Sequence, residues 1–235
     1  QIKNPLVCLP TGSGKTPVIA TILNLWQKKL NPGEIIVSAV HTQELIGQTA
    51  ATYERISGQN TCVFSASLNR KEIGPVTFAQ IQSICKCGLN LGKIKAILID
   101  ECDRVPFDGN GVYRRFIDDA RQGNSDLFVL GFTATPFRMK GGLIYGPGKP
   151  FEKLVYDANV GDLITQGYLC NLTSKQGNTP DLTGVSKVGG DFNEQQLEDI
   201  MADEAKVRAA WEHLMPYREN RKSIIHFTSG LKHAV

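Results

Sequence analysis

Leu9-Pro10-Thr11-Gly12-Ser13-Gly14-Lys15-Thr16 is the stretch on which the reading of this chain turns. A short apolar run, Leu6 to Leu9, precedes it, and an apolar-periodic segment from Val18 to Leu30 follows. The order is therefore strand, glycine loop, helix. Gly12 and Gly14 can take backbone angles closed to other residues, so successive amides can turn inward around a phosphate at the positive end of a helix. Lys15 then reaches the β- and γ-phosphates of a nucleoside triphosphate, and the Thr16 hydroxyl holds a magnesium ion. Pro10, Thr11, Gly12, Ser13, Gly14, Lys15 and Thr16 together form the candidate ATP site. Pro17 falls in the first helical turn, where a missing N–H costs little.

Working outward, strand and helix signals alternate. Asn31-Pro32-Gly33 is a turn, and Ile35 to Val40 reads as a buried parallel strand. Thr42 is placed to cap a helix carrying Leu45, Ile46, Thr49, Tyr53 and Ile56. Strands follow at Thr61 to Phe64 and Pro75 to Phe78, then a helix from Ala79 to Cys85. Ile94 to Ile99 is apolar except for Lys95 and ends in Asp100-Glu101-Cys102-Asp103. Acids at the carboxyl end of a buried strand project into the crevice where α/β sheets bind ligands, the edge that also holds the glycine loop. A helix from Asn110 to Arg121 leads to a strand from Leu127 to Phe132, which runs into Thr133-Ala134-Thr135-Pro136. Five or six such units predict a three-layer α/β/α domain with a mainly parallel sheet and helices on both faces.

Beyond Met139 the composition loosens. Gly141 to Pro150 reads as a loop, Asn159 to Gln166 as a short helix, and Gly167 to Ser174 as a strand. Gln176 to Gly190 is the expected linker, and Asn193 with Gln196 opens a helix that a second, Asp203 to Tyr217, follows. Ser223 to Phe227 reads as the first strand of a further α/β domain. The expected division is residues 1–175, 176–220 and 221–235, within a chain that reads as a piece of a longer protein.

In this setting Asp100 suits a metal and Glu101 the orientation of an attacking water, acting with Lys15. An Asp-Glu pair by itself is often only a solvated turn; the glycine loop upstream and the buried strand between favour chemistry. Asp103 either couples the acids to Thr133 and Thr135 or caps the turn before Pro106. Lysine plus arginine number 26 against 23 aspartates and glutamates, so any polyanion site is local. The six cysteines are scattered, with Cys8 and Cys62 in apolar runs, as in a reduced cytoplasmic protein. No stretch suits a membrane span.

Pro10 to Thr16, Asp100 to Asp103 and Thr133 to Pro136 resemble motifs I, II and III of superfamily 2 helicases and translocases. Ala39 to Leu45 looks like motif Ia, Thr77 to Ser83 like the backbone-touching segment after it, and Ile225-His226-Phe227 with Lys232-His233-Ala234 like the opening of motif IV. Leu-Pro-Thr-Gly-Ser-Gly-Lys-Thr with Thr-Ala-Thr-Pro-Phe-Arg is similar to the restriction-enzyme-subunit-like branch, RadD-type DNA repair helicases above all. Asp103 departs from that branch, whose tetrad more usually ends in His; Asp-Glu-Cys-Asp occurs among RNA helicases. The resemblance implies two RecA-like lobes that close on ATP and Mg2+ with single-stranded nucleic acid across them, DNA favoured over RNA. It assigns backbone contacts to His41, Thr42, Thr77, Gln80, Ser83 and Arg138. Motifs V and VI, with the arginine finger, are not in this chain, so residues 1–235 alone are expected to turn ATP over slowly. A duplex-translocating restriction subunit, an RNA helicase and an ATP-gated clamp remain the rival readings.

Overall fold

The computed structural model describes residues 2–85, 87, 91–104, 111–138, 141–174, 180–188, 191–218, 223–225 and 227–230, except His41. The chain divides into two units, Gln1–Asn171 and Leu172–Val235.

In the first unit the strands are β1 (Pro5–Cys8), β2 (Glu34–Val40), β3 (Cys62–Ser65), β4 (Arg70–Lys71), β5 (Val76–Gln80), β6 (Lys93–Ile99), β7 (Phe128–Thr133), β8 (Phe137–Arg138), β9 (Gly142–Leu143) and β10 (Lys153–Asp157). The helices are α1 (Lys15–Gln27), α2 (Gln43–Ser57), α3 (Ile81–Ile84), α4 (Val112–Gly123) and α5 (Val160–Thr165). Eight strands form one sheet in the order β10-β1-β7-β6-β2-β5-β3-β4. Every pairing is parallel except β3 with β4, a short charged edge of a kind that discourages further strand addition.

The β-branched run of β2 is buried along its whole length, as a central parallel strand covered on both faces must be. Its period of two separates two cores. Ile36 and Val40 pack with Ile19 and Leu23 of α1 and Ile46, Ala50 and Tyr53 of α2. Ile35, Val37 and Ala39 belong to the opposite cluster, with Ile81 and Ile84 of α3 and Tyr113, Phe116 and Ile117 of α4. The expected three-layer RecA-like α/β fold is what the chain adopts.

One glycine is fixed by packing. Gly131, in β7, has Phe151 and Cys102 against it: a methyl group there would stand 2.5 Å from Phe151 Cε1 and 2.9 Å from Cys102 Sγ. Both neighbours are buried and cannot retreat. Gly131→Ala is expected to cost about 1–3 kcal/mol, read as a lowered urea midpoint at unchanged slope.

Expectations for the segment after Met139 differ from the structure. Gly167 to Ser174 forms no strand; the edge strand is β10, at Lys153–Asp157, paired with β1. Tyr168 and Leu172, in the expected strand, are 71% and 78% exposed. The expected loop of Gly141 to Pro150 includes β9, which pairs with β8 in a hairpin that sets Phe137 opposite Leu143.

The second unit has a two-stranded hairpin of β11 (Lys187–Val188) and β12 (Asp191–Phe192), then α6 (Glu194–Met201) and α7 (Glu204–Leu214). Asn193 accepts the Gln196 N–H at 3.1 Å and Asp203 the Lys206 N–H at 3.1 Å, so both helices carry side-chain caps. The strand expected at Ser223 to Phe227 is not formed by its described residues. Ile225 and Phe227 are 80% and 88% exposed, and among the described residues no strand pairs with them. His226, Lys232, His233 and Ala234 lie outside the described residues.

Candidate nucleotide site and strand-end coupling

The sheet order explains how residues far apart in sequence meet. β1, β7 and β6 are neighbours, so the loop after β1, the threonines after β7 and the acids after β6 leave the sheet at adjacent carboxyl ends. The Leu9 N–H donates to the Thr133 carbonyl at 2.8 Å and ties the first two exits together.

In the loop, Gly12 and Gly14 have φ of +83° and +88°, a region that penalises residues with a Cβ. Gly14 is the residue before α1, and no side chain caps that helix and no acid stands in its first turn. The opening N–H groups have no intrahelical carbonyl to reach; the Val18 N–H makes an early backbone bond, to the Gly14 carbonyl at 3.2 Å. Pro17, having no N–H, wastes none of them. A helix start with unspent donors and no compensating acid is a site for an anion. Ser13 braces the turn, its hydroxyl and N–H donating to the Pro10 carbonyl at 2.6 and 3.1 Å. Thr11 and Gly12 are exposed, and Pro10 and Thr16 are partly buried.

Lys15 reaches from the loop to the acids. Its ammonium donates to Glu101 Oε1 in a short charge-assisted bond and stands 3.3 Å from Asp100 Oδ1. The lysine is 12% exposed and Asp100 4%. Burial works against the Lys15 charge, but the Glu101 bond and the two carboxylates outweigh it and raise its pKa. Burial also raises the pKa of Asp100, even against the lysine's charge. Glu101 itself is held at φ +50°. Its N–H donates to Asp100 Oδ1 at 2.9 Å, and both carboxylates meet the one Lys15 ammonium.

Asp103 is bonded to both threonines. Thr133 Oγ1 donates to Asp103 Oδ1 at 2.6 Å and Thr135 Oγ1 to Oδ2 at 3.3 Å. Thr133 is fully buried. Arg138 Nε donates to the Asp103 carbonyl at 2.6 Å, which attaches the β8–β9 hairpin to the same tetrad.

The residues assigned to nucleic acid are less uniform. Thr42 is exposed and occupies the position before α2 with extended backbone, yet its side chain makes no capping bond. His41 lies outside the described residues. Thr77 is corrected: it is fully buried in β5, and its hydroxyl donates to the Gly74 carbonyl at 3.0 Å while accepting the Gly74 N–H at 3.1 Å. β5 is buried on both faces from Val76 to Ala79, so Thr77 has no surface to offer a ligand. Gln80 Oε1 accepts from the Ser65 and Ser67 hydroxyls, both at 3.1 Å, and Ser83 Oγ accepts the Ala66 N–H at 2.9 Å. The Ser65–Ser67 turn is thus tied to Gln80 and Ser83. Sequence reading missed it, although the serine pair at a strand's carboxyl end was a visible signal.

Among the described residues, no three His, Cys, Asp or Glu side chains cluster as a metal cage. Asp100 and the Thr16 hydroxyl fit the other way of holding magnesium, in which one or two protein oxygens share the ion with nucleotide phosphates.

Comparison with known proteins bears on this arrangement. Residues 1–138 match the family described as the type III restriction enzyme res subunit. The ATP-dependent DNA helicase mph1 of Sclerotinia sclerotiorum is 29% identical over 146 residues, 57% of this chain and 12% of that protein. The DEAD-box ATP-dependent DNA helicase Fancm of Drosophila melanogaster is 28% identical over 153 residues, 58% of this chain and 10% of that protein. The chain thus spans about a tenth of the length of these relatives. The Hef helicase domain of Pyrococcus furiosus shares the fold at a TM-score of 0.50 and 20% identity, over 92% of this chain and 45% of that one. The type ISP restriction-modification enzyme LlaGI, solved as a nuclease-deletion mutant with a DNA substrate mimic, does so at 0.52 and 14%, over 99% of this chain and 24% of that one. With the glycine loop, the acid tetrad and the threonine pair all inside the matched 1–138 segment, the chain belongs to the family of the type III restriction enzyme res subunit, one of the helicase-like families of superfamily 2.

Proposed function

We propose that this chain carries the ATP-binding lobe of a motor that moves on DNA, and that hydrolysis in the crevice drives the movement. The observation that carries the reading is Lys15 lying between the Asp100 and Glu101 carboxylates at the mouth of the glycine loop. Two separate strand ends thereby share one charge system where a triphosphate would lie. Residues 1–175 form the first RecA-like lobe in this reading, 176–220 the connection and 221–235 the opening of a second.

Gly12, Gly14 and the start of α1 cradle the phosphates, and Lys15 turns from the acids to the β- and γ-oxygens. Thr16 and Asp100 hold magnesium, whose role is to neutralise charge on the transferring phosphoryl group. Glu101 orients the attacking water and takes its proton. Asp103 passes the state of the acid pair to Thr133, Thr135 and, through its carbonyl, to Arg138. Thr42, Gln80, Ser83 and Arg138, with His41, face the strand backbone, where contacts fix register without reading sequence. The names of the mph1 and Fancm relatives support DNA over RNA and, with the RadD resemblance, a place in DNA repair. The family match supports a second reading, a restriction subunit that translocates duplex without unwinding it.

The test is ATP turnover by the protein with single-stranded, forked and duplex DNA and with RNA. Stimulation by single-stranded or forked DNA is expected. Stimulation by duplex alone would favour the translocating subunit, best stimulation by RNA would overturn the DNA assignment, and none from any nucleic acid would leave a clamp.

A further inference from the structure

The helix α5 buries no side chain, yet both its ends are closed by specific bonds. At its start Asn159 Oδ1 accepts the Gly161 and Asp162 N–H groups at 2.7 and 3.2 Å. At its end Gly167, at φ +78°, donates its N–H to the Ile164 carbonyl at 3.0 Å, and the Tyr168 N–H donates to the Leu163 carbonyl at 2.9 Å. This is the paired closure that a left-handed glycine gives a helix. The Leu169 N–H adds a third bond, to the same Leu163 carbonyl at 3.1 Å. Six residues with no core face are thus held as firmly as a core helix, and what they hold is the position of Leu169.

That position is against the glycine loop. β10 runs parallel to β1 with Asp157 opposite Cys8, so α5 begins beside the strand end from which the loop departs. A Cβ built on Gly12 would stand 3.1 Å from Leu169 Cδ2. The leucine therefore covers the bare side of a residue at φ +83°, a conformation that glycine shares with many others when unrestrained. Leu169 is partly buried, while its neighbour Tyr168 is 71% exposed.

We propose that Leu169 is a positioning residue for the glycine loop. It holds Gly12 in its left-handed conformation, so that the loop meets nucleotide already shaped. The proposal rests on the loop's being the ATP site. Its effect falls on binding rather than on the chemical step, because a preorganised loop gives up less freedom when the phosphates arrive.

The experiment measures equilibrium binding of a fluorescent ATP analogue with magnesium, and steady-state turnover, for wild type, Leu169→Ala, Leu169→Met, Tyr168→Ala and Lys15→Ala. For Leu169→Ala, Kd and KM are expected to rise about five- to tenfold with kcat within about twofold. Leu169→Met can still reach Gly12 and is expected to stay near wild type, as is Tyr168→Ala. Should the alanine variant melt at the assay temperature, Leu169→Val replaces it, with an expected rise of about two- to threefold. Unchanged binding by a folded Leu169→Ala, or Leu169→Val in its place, with binding weakened in Lys15→Ala, overturns the role of Leu169 alone. Unchanged binding in both overturns the nucleotide reading with it. Tighter binding would make Leu169 an obstruction and overturn the proposal as well.

Discussion

Glu101→Gln lowers ATP turnover by about 10²- to 10⁴-fold, the range that a positioned general base contributes, while nucleotide still binds. The substitution keeps the size of the side chain and removes the charge that accepts a proton. It also frees Lys15 from its shorter ion pair and leaves Asp100 at 3.3 Å as the lysine's partner. Nucleotide competes with those carboxylates for the ammonium, so affinity for the ATP analogue is expected to hold or to increase. The combination separates a chemical role from a structural one: phosphate release collapses while equilibrium binding does not. Turnover within about threefold of wild type would remove Glu101 from the reaction.

Lys15→Ala produces the second large loss, and for two reasons. A charge aimed at developing negative charge on the phosphates is gone, an effect of about 10²- to 10³-fold in turnover, with weakened nucleotide binding. The other reason lies within the protein. Asp100 is 4% exposed and already has its pKa raised by burial; without the ammonium it keeps the Glu101 N–H but loses its positive neighbour while the Glu101 carboxylate stays, and its pKa rises further. A carboxyl whose pKa is higher folded than unfolded binds its proton more tightly in the folded state. Its contribution to stability is therefore intact below the unfolded value and is lost as pH rises through the folded one. The stability deficit of Lys15→Ala is thus expected to be small in acid and to grow towards neutral pH. Urea midpoints of variant and wild type at a series of pH values check this, and a deficit that shrank with rising pH would contradict the charge argument.

Much of this was legible in the residues because the chemistry is local. A glycine loop between an apolar run and a helix has few other uses, and acids ending a buried strand mark the same edge of a parallel sheet. The coupling of Asp103 to Thr133 and Thr135 was visible as spacing, although only the adjacency of β6 and β7 makes the bonds. What escaped was set by long-range partners. Lys153-Leu154-Val155-Tyr156-Asp157 has only three apolar residues in a row and buries only Leu154 in part, so β10 is held mainly by its pairing with the open side of β1. Tyr168 and Leu172 misled in the opposite sense, as apolar residues that stay in solvent. Thr77 misled by its neighbours: the segment around it matched a surface motif, while β5 is buried on both faces from Val76 to Ala79 and covers that side chain with the rest.

The place of β1 in the sheet also sets an order of assembly. Among the strands of this sheet it is made before the others, yet its partners β7 and β10 begin at Phe128 and Lys153. At ordinary rates of synthesis the ribosome takes roughly ten seconds to reach the first of them. During that interval β2, β3 and β5 can already pair among themselves, while Pro5–Cys8 waits with both edges open. The glycine loop hangs from this waiting strand, so the most recognisable part of the sequence is among the last parts of this sheet to be finished.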